Sequence, residues 1–245
     1  MSFFQVSHLT KTFGGVHAVE DLNFEVKKNS ITGLIGPNGA GKTTAFNLIT
    51  HFLPRNKGNT IFDKKNISHV PAYKLVRNGI ARTFQQIRIF PNLTLRENLL
   101  LSVSHSYDSW WRSLWKINET EANKRVEQML KEVNLWKYAD APAKNLSYGQ
   151  SKLLEILRCM ATDAELILLD EPAAGVNPTM LRTVEKLILD LKAQGKTLLV
   201  IEHNMPFLMG ISDEIIVMEN GRFLMQDKPE VVQQDSRVLE AYLGR

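Results

Sequence analysis

Apolar and polar positions alternate along Gln5–Leu9 and again along Leu22–Val26. That is the period of a strand with one wet face, and Gly14-Gly15 between the two supplies a turn. Ile31–Ile35 is apolar without alternation, which predicts a short strand buried on both faces; Leu166–Leu169 and Thr197–Ile201 repeat the signature. Thr60–Phe62 and Ile80–Phe84 read as further short strands, and Ile215–Met218 and Arg222–Met225 flank a hairpin turn at Glu219-Asn220-Gly221. Helical spacing appears elsewhere. The segment AFNLIT continues from the loop after Ile31–Ile35 as a helix. Val126, Met129, Leu130 and Val133 lie on one face of a helix over Asn118–Val133, with Asn118 as N-cap and Glu121 completing a capping box. Lys152–Ala161, Met180–Lys192 and Val231–Leu243 are helical as well, and Leu146–Gln150 reads as a loop. Strands alternating with helices predict an α/β core. Roughly residues 91–162 contain no convincing strand and read as a helical subdomain. It is inserted into a single domain spanning 1–245, whose remainder, about 1–90 and 163–245, forms the core and its β subdomain.

Composition adds limits. With 245 residues, 44% hydrophobic and 23% charged, the chain is long enough for a large folded core and is no candidate for disorder. Its one cysteine, Cys159, cannot form an internal disulfide and sits in an apolar helical run, which predicts a buried, inert thiol. The N-terminus MSFFQVSHLTKTFGG lacks the pattern of a signal peptide, and no apolar run approaches the roughly 20 residues that span a bilayer. A soluble, cytoplasmic protein is expected, one that reaches a membrane only by docking on another protein. The net charge of +4 is scattered, which favours a solvated surface over a nucleic-acid-binding face. In the helical stretch, Trp110, Trp111 and Trp115 of DSWWRSLW serve either core packing or a partner surface.

The sequence GPNGAGKT, Gly36–Thr43, fits G-x-x-x-x-G-K-[ST] between a predicted strand and a predicted helix, the context a phosphate-binding loop requires. Loop amides and the helix N-terminus would face an anion, with Lys42 on the β- and γ-phosphates and the Thr43 hydroxyl on Mg²⁺. In LILLDE, an apolar strand delivers Asp170 and Glu171 to its C-terminal edge: Asp170 to hold the metal shell, Glu171 to orient a water as general base. Gln85 and His203 also follow apolar strands. In an open parallel sheet such ends share the edge where ligands bind, so both are expected to face the γ-phosphate.

GPNGAGKTT, Phe84-Gln85, LSYGQ, LILLDEP and the His of IEHN occur in the order of ABC-type ATPases, and the chain resembles that family over essentially its whole length. The resemblance implies a P-loop NTPase fold with a RecA-like parallel core, an antiparallel β subdomain and an inserted α-helical subdomain. It implies ATP and Mg²⁺ as cofactors. Gly36, Pro37, Asn38, Gly39, Ala40, Gly41, Lys42, Thr43 and Thr44 would cradle phosphate, Phe13 would stack on adenine, and Thr43, Gln85 and Asp170 would serve the metal. Glu171 matches the catalytic base, His203 the switch histidine, and Gln85 the link between the γ-phosphate site and the helical subdomain. Two such domains pack head to tail in the family, so Ser147, Gly149 and Gln150 of NLSYGQ would contact ATP bound by a second subunit, identical or not. Tyr148 stands where the common loop has glycine, and Asn177 of AAGVN where an acidic residue is common. The wording LSYGQ…LLDEPAAGVNP…IEHNM…EAYLG looks like the LivG type among branched-chain amino acid importers, whose ATPases share much of it with amide and urea importers and a lipopolysaccharide exporter. That resemblance implies transmembrane permease subunits that hold this chain peripherally on the inner face of the cell membrane, an extracytoplasmic substrate-binding protein reached through them, and no nucleic acid. A soluble ABC ATPase or regulator outside transport is the alternative.

Overall fold

The computed structural model describes residues 2–105 and 119–243. In chain order its elements are β1 (Ser2–Phe13), β2 (Val16–Lys27), β3 (Ile31–Ile35), α1 (Lys42–Ile49), β4 (Lys57–Phe62), β5 (Lys65–Asn66) and β6 (Ile80–Arg82). Then come α2 (Leu95–His105), α3 (Glu119–Glu132), α4 (Tyr148–Ala161), β7 (Leu166–Asp170), α5 (Pro178–Ala193) and β8 (Thr197–Ile201). The chain continues through α6 (Met205–Ile211), β9 (Glu214–Glu219), β10 (Arg222–Asp227), α7 (Pro229–Gln234) and α8 (Ser236–Leu243).

Two sheets organise the molecule. One is antiparallel, in the order β2-β1-β4-β5; the other runs β10-β9-β3-β8-β7-β6, parallel from β9 to β6 with β10 antiparallel at its edge. The parallel strands are mostly apolar because both faces are covered. Alternate side chains divide between two cores: Ile35, Ile167, Leu169, Leu198 and Val200 face the helices. Leu34, Leu166, Leu168, Leu199 and Ile201 face the antiparallel sheet and α1. This puts the C-terminal ends of β3, β8, β7 and β6 on one edge, the shared edge that the apolar runs anticipate.

Several expectations change at the level of elements. β1 and β2 are each 12 residues long, well beyond the alternating segments, because His8 and Asp21 adopt positive φ and the pairing slips register around them. Such bulges break the period of two that identifies a strand. β6 stops at Arg82, short of Phe84. Leu146–Gln150 is only partly a loop: α4 begins at Tyr148, so Gly149 and Gln150 belong to its first turn. α2 and α6 were not anticipated. Asn118, the expected N-cap, and Trp110, Trp111 and Trp115 lie outside the described residues. α2, α3 and α4 carry Leu99, Val126, Leu130, Leu153 and Leu157 into the same buried cluster as the helix-facing side of the sheet. No helix among the described residues is long and apolar enough to cross a membrane.

Candidate functional site

β3 ends at Ile35, and Gly36–Gly41 turns the chain back onto α1. Gly41 shows why that turn needs glycine: its φ is +90°, and a Cβ there would fall 2.4 Å from the Ala18 carbonyl oxygen. Lys42 opens α1, is buried, and donates to the carbonyls of Gly36 at 2.8 Å and Pro37 at 3.0 Å. Burial pulls its ammonium below the usual lysine range, and the charge of Glu171 opposes that pull. An open pocket of about 290 Å³ lies over the loop, lined by Ala18, Asn38, Gly39, Gly41, Lys42, Thr43, Thr44, Gln85, Glu171 and His203. Ala18 of β2 and the four segments that follow β3, β6, β7 and β8 therefore meet here. Gly36, Pro37 and Ala40 form the loop without lining the pocket. Phe13 does not line it either; it ends β1 and is 46% exposed.

At the end of β7 the two carboxylates part. Asp170 is fully buried: its Oδ2 accepts from Arg82 Nη2 at 2.9 Å, and its Oδ1 has no hydrogen-bond partner among the described residues. Burial pushes its carboxyl up from the ordinary range, Arg82 pulls it down, and neighbouring Glu171 pushes it up again. Glu171 adopts φ +50°, in the left-handed region, a conformation that costs a non-glycine residue roughly 1 kcal/mol or more. Its amide donates to the Ile201 carbonyl at 2.9 Å, and its Oε1 lies 3.0 Å from His203 Nε2. That turn aims Glu171 into the pocket and away from Asp170.

Glu202, unassigned by sequence reasoning, fixes the loop that carries His203. It is 3% exposed; Oε1 accepts from the Ala173 amide at 2.6 Å, and Oε2 from the amides of His203 at 2.9 Å and Asn204 at 3.2 Å. It thereby ties the segment after β8 to the segment after β7. Arg82 was also missed, since a basic residue at the end of a short strand carries no signal of a buried partner distant in sequence. Glu155 is the third: this buried α4 carboxylate accepts from the amides of Phe84 at 3.2 Å and Arg88 at 3.3 Å, bracketing exposed Gln85.

None of Ser147, Gly149 and Gln150 lines the pocket. Ser147 is the N-cap of α4, in a capping box with Gln150: the Gln150 amide donates to Ser147 Oγ at 3.4 Å, and the Ser147 amide to Gln150 Oε1 at 2.9 Å. The Gln150 side chain, expected to face a nucleotide, is thus engaged at the helix end. Gly149 allows a close approach, since a Cβ there would sit 2.6 Å from Met180 Sδ on α5. Tyr148 is half exposed, and its ring lies against Gly175 of the loop that precedes α5. Asn177 caps α5, its Oδ1 accepting from the Met180 amide at 2.9 Å.

Asp170 does not itself line the pocket, but its buried Oδ1, without a hydrogen-bond partner among the described residues, and the hydroxyl of pocket-lining Thr43 are oxygen donors of the kind a hydrated divalent cation takes, and the glycine-rich loop fits a phosphate chain. The family model described as ABC transporter matches residues 19–174. The chain is 40% identical to the high-affinity branched-chain amino acid transport ATP-binding protein BraF of Pseudomonas aeruginosa, over 98% of this chain and 97% of that one. It is 38% identical to LivG of Escherichia coli K12, the protein of the same description, over 98% and 96%. Among solved structures, the ADP conformation of MJ1267, an ATP-binding cassette of an ABC transporter, superposes with a TM-score of 0.85 at 34% identity and covers both chains fully. With a P-loop, an acid pair and a histidine at one sheet edge, and with these relatives along its length, the chain belongs to the ABC transporter ATP-binding family.

Proposed function

We propose that this chain is the ATP-hydrolysing subunit of an ABC transporter for branched-chain amino acids, a single ABC ATPase domain with residues 91–162 as its helical subdomain. The observation that carries the reading is the convergence of Lys42, Thr43, Gln85, Glu171 and His203 on one pocket while the Ser147 cap stands off it. A site that is complete on the phosphate side, with a second anion-suited helix N-terminus elsewhere on the surface, suits two subunits that close on ATP head to tail. In such a pair Ser147 and the Gly149 amide face the partner's γ-phosphate.

Within one subunit, the loop amides and Lys42 hold the phosphates and Phe13 offers its exposed ring to the base. Thr43, Asp170 and Gln85 would hold Mg²⁺. Bound magnesium supplies positive charge against the phosphate oxygens. Glu171 accepts a proton as water attacks the γ-phosphorus and ADP leaves. His203, 3.0 Å from Glu171, holds that carboxylate in place and faces the transferring group. Permease subunits and, through them, an extracytoplasmic binding protein complete the assembly, which places this chain on the cytoplasmic face of the membrane.

The test is Glu171→Gln in the purified protein. ATP binding is retained, a dimer appears on gel filtration only with ATP, and turnover falls at least about a hundredfold, which is about 2.7 kcal/mol of barrier. Unimpaired turnover would remove Glu171 from this role. Reconstitution with the permeases tests the solute: turnover should rise with binding protein loaded with leucine, isoleucine or valine and not with empty binding protein.

A further inference from the structure

Arg82 is an interior arginine, its side chain 6% exposed, and its guanidinium is shared among three parts of the site. Nη2 donates to Asp170 Oδ2 at 2.9 Å. Nη1 donates to Asn47 Oδ1 at 2.8 Å and Thr50 Oγ1 at 2.7 Å, both on or ending the helix that the phosphate loop opens. Nε donates to the Thr83 carbonyl at 3.1 Å, on the segment leading to Gln85. Thr83 closes the ring, because its hydroxyl accepts from the Asp170 amide at 2.9 Å. The rings of Phe84 and Phe46 lie 4.9 and 5.6 Å from the guanidinium carbon. With one Asp170 oxygen held in this way, only Oδ1 is left to face a ligand.

We propose that Arg82 is a positioning residue for the metal carboxylate: it ties Asp170 to α1 and to the Gln85 segment, so that the phosphate-loop helix fixes which oxygen Asp170 offers to Mg²⁺. The inference rests on Asp170 as a metal-holding residue. It differs from simple neutralisation of a buried acid in what it asks of the fork. Neutralisation needs one positive charge, whereas positioning needs Nη1 and Nη2 to grip α1 and Asp170 together, which a lysine ammonium at the end of a flexible stem cannot reproduce. A residue that orients a metal ligand without touching the metal acts on metal affinity by about 10- to 100-fold.

The experiment measures binding of a ribose-labelled fluorescent ATP with Mg²⁺ and with EDTA, and takes the ratio as the metal's enhancement. Arg82→Lys keeps the charge and is expected to lower the enhancement about tenfold, with affinity in EDTA unchanged. Asn47→Ala, which touches neither metal nor carboxylate, lowers it several-fold, and the double variant is no worse than Arg82→Lys alone because both cut one connection. Thermal melts report folding; should Arg82→Lys fail to fold, Asn47→Ala decides. An enhancement within twofold of the unsubstituted chain in the folded variants would overturn the proposal, as would an equal loss with and without metal. If the unsubstituted chain binds ATP without any enhancement, the reading of Asp170 itself falls, and the inference with it.

Discussion

Asp170 and Glu171 are neighbours in sequence and opposites in environment. One is sealed against Arg82 with no exposure at all; the other is swung by a positive φ into an open pocket against His203. Two carboxylates so placed can divide the work of holding a cation and taking a proton, because only one of them meets water. Cys159 shows the same control in reverse. Burial on α4, with the charge of Glu155 nearby, pushes its thiol up to about 12, about a thousandfold fewer thiolates at neutral pH than its ordinary value of 9.0 would give. Iodoacetamide at pH 8 should therefore leave the folded protein unmodified over a period in which the urea-unfolded chain is fully alkylated, as followed by intact mass; equal rates would place the thiol at the surface. Residue identities in Gly36–Thr43 and Leu166–Glu171 were legible because each motif is local and its strand context is apolar. The grip of Arg82 on Asp170 was not, because it joins residues 88 positions apart, and that of Glu202 on Ala173 joins residues 29 apart. No window of sequence contains both ends.

At the scale of elements, helix termini decide most of what the site can present. α5 starts at an asparagine where an acidic residue is common, and its first turn contains no acid. Asn177 still satisfies the Met180 amide, so Asn177→Ala should cost about 1 kcal/mol in urea denaturation. Asn177→Asp keeps that acceptor and sets a negative charge at the positive end of the helix, for a gain of about 0.3–1 kcal/mol that shrinks with added salt. A loss of stability in Asn177→Asp would show that this turn faces negative charge that the helix end does not offset. Caps also explain where the sequence misled. Ser147 and Gln150 form a capping box, the S-x-x-Q signal that moves the start of α4 forward into the expected loop. Thr94 and Glu97 form a reciprocal pair at α2 in the same way: the Glu97 amide donates to Thr94 Oγ1 at 3.1 Å and the Thr94 amide to Glu97 Oε2 at 2.8 Å. That pair marks a helix start in the sequence, but α2 lacks a clean apolar stripe to go with it. α6 spans only seven residues, too short for periodicity to speak.

Across the whole molecule, the helical layer does not stand apart from the sheet: α2–α4 and the helix-facing strand residues share one buried cluster. Alternation and apolar runs made the layers legible, but not their order, because which strand lies beside which depends on pairings across the chain, such as β3 between β8 and β9. Glu155 sits where the layers meet, on α4, accepting the Phe84 and Arg88 amides from the segment that follows β6. It is 4% exposed, and its Oε2 has no hydrogen-bond partner among the described residues. Burial pushes its carboxyl up; Lys152, the two amides and Arg158 pull the other way without cancelling the rise. An acid whose pKa is higher folded than unfolded stabilises the fold below its unfolded value, here 4.5, and loses that contribution as pH climbs through the raised value. As pH climbs through that raised value the junction takes on the cost of an ionised, half-partnered carboxylate. Glu155→Gln does not titrate and keeps an oxygen for the two amides. The stability difference between the two proteins in urea should therefore move in favour of the glutamine as pH rises above 4.5, and level off once the raised value has been passed. Because every other titrating group is common to both, the slope of that difference belongs to position 155. A flat difference would mean that Glu155 ionises as an ordinary surface carboxylate does and that the hold on the Gln85 segment is not weakened by pH.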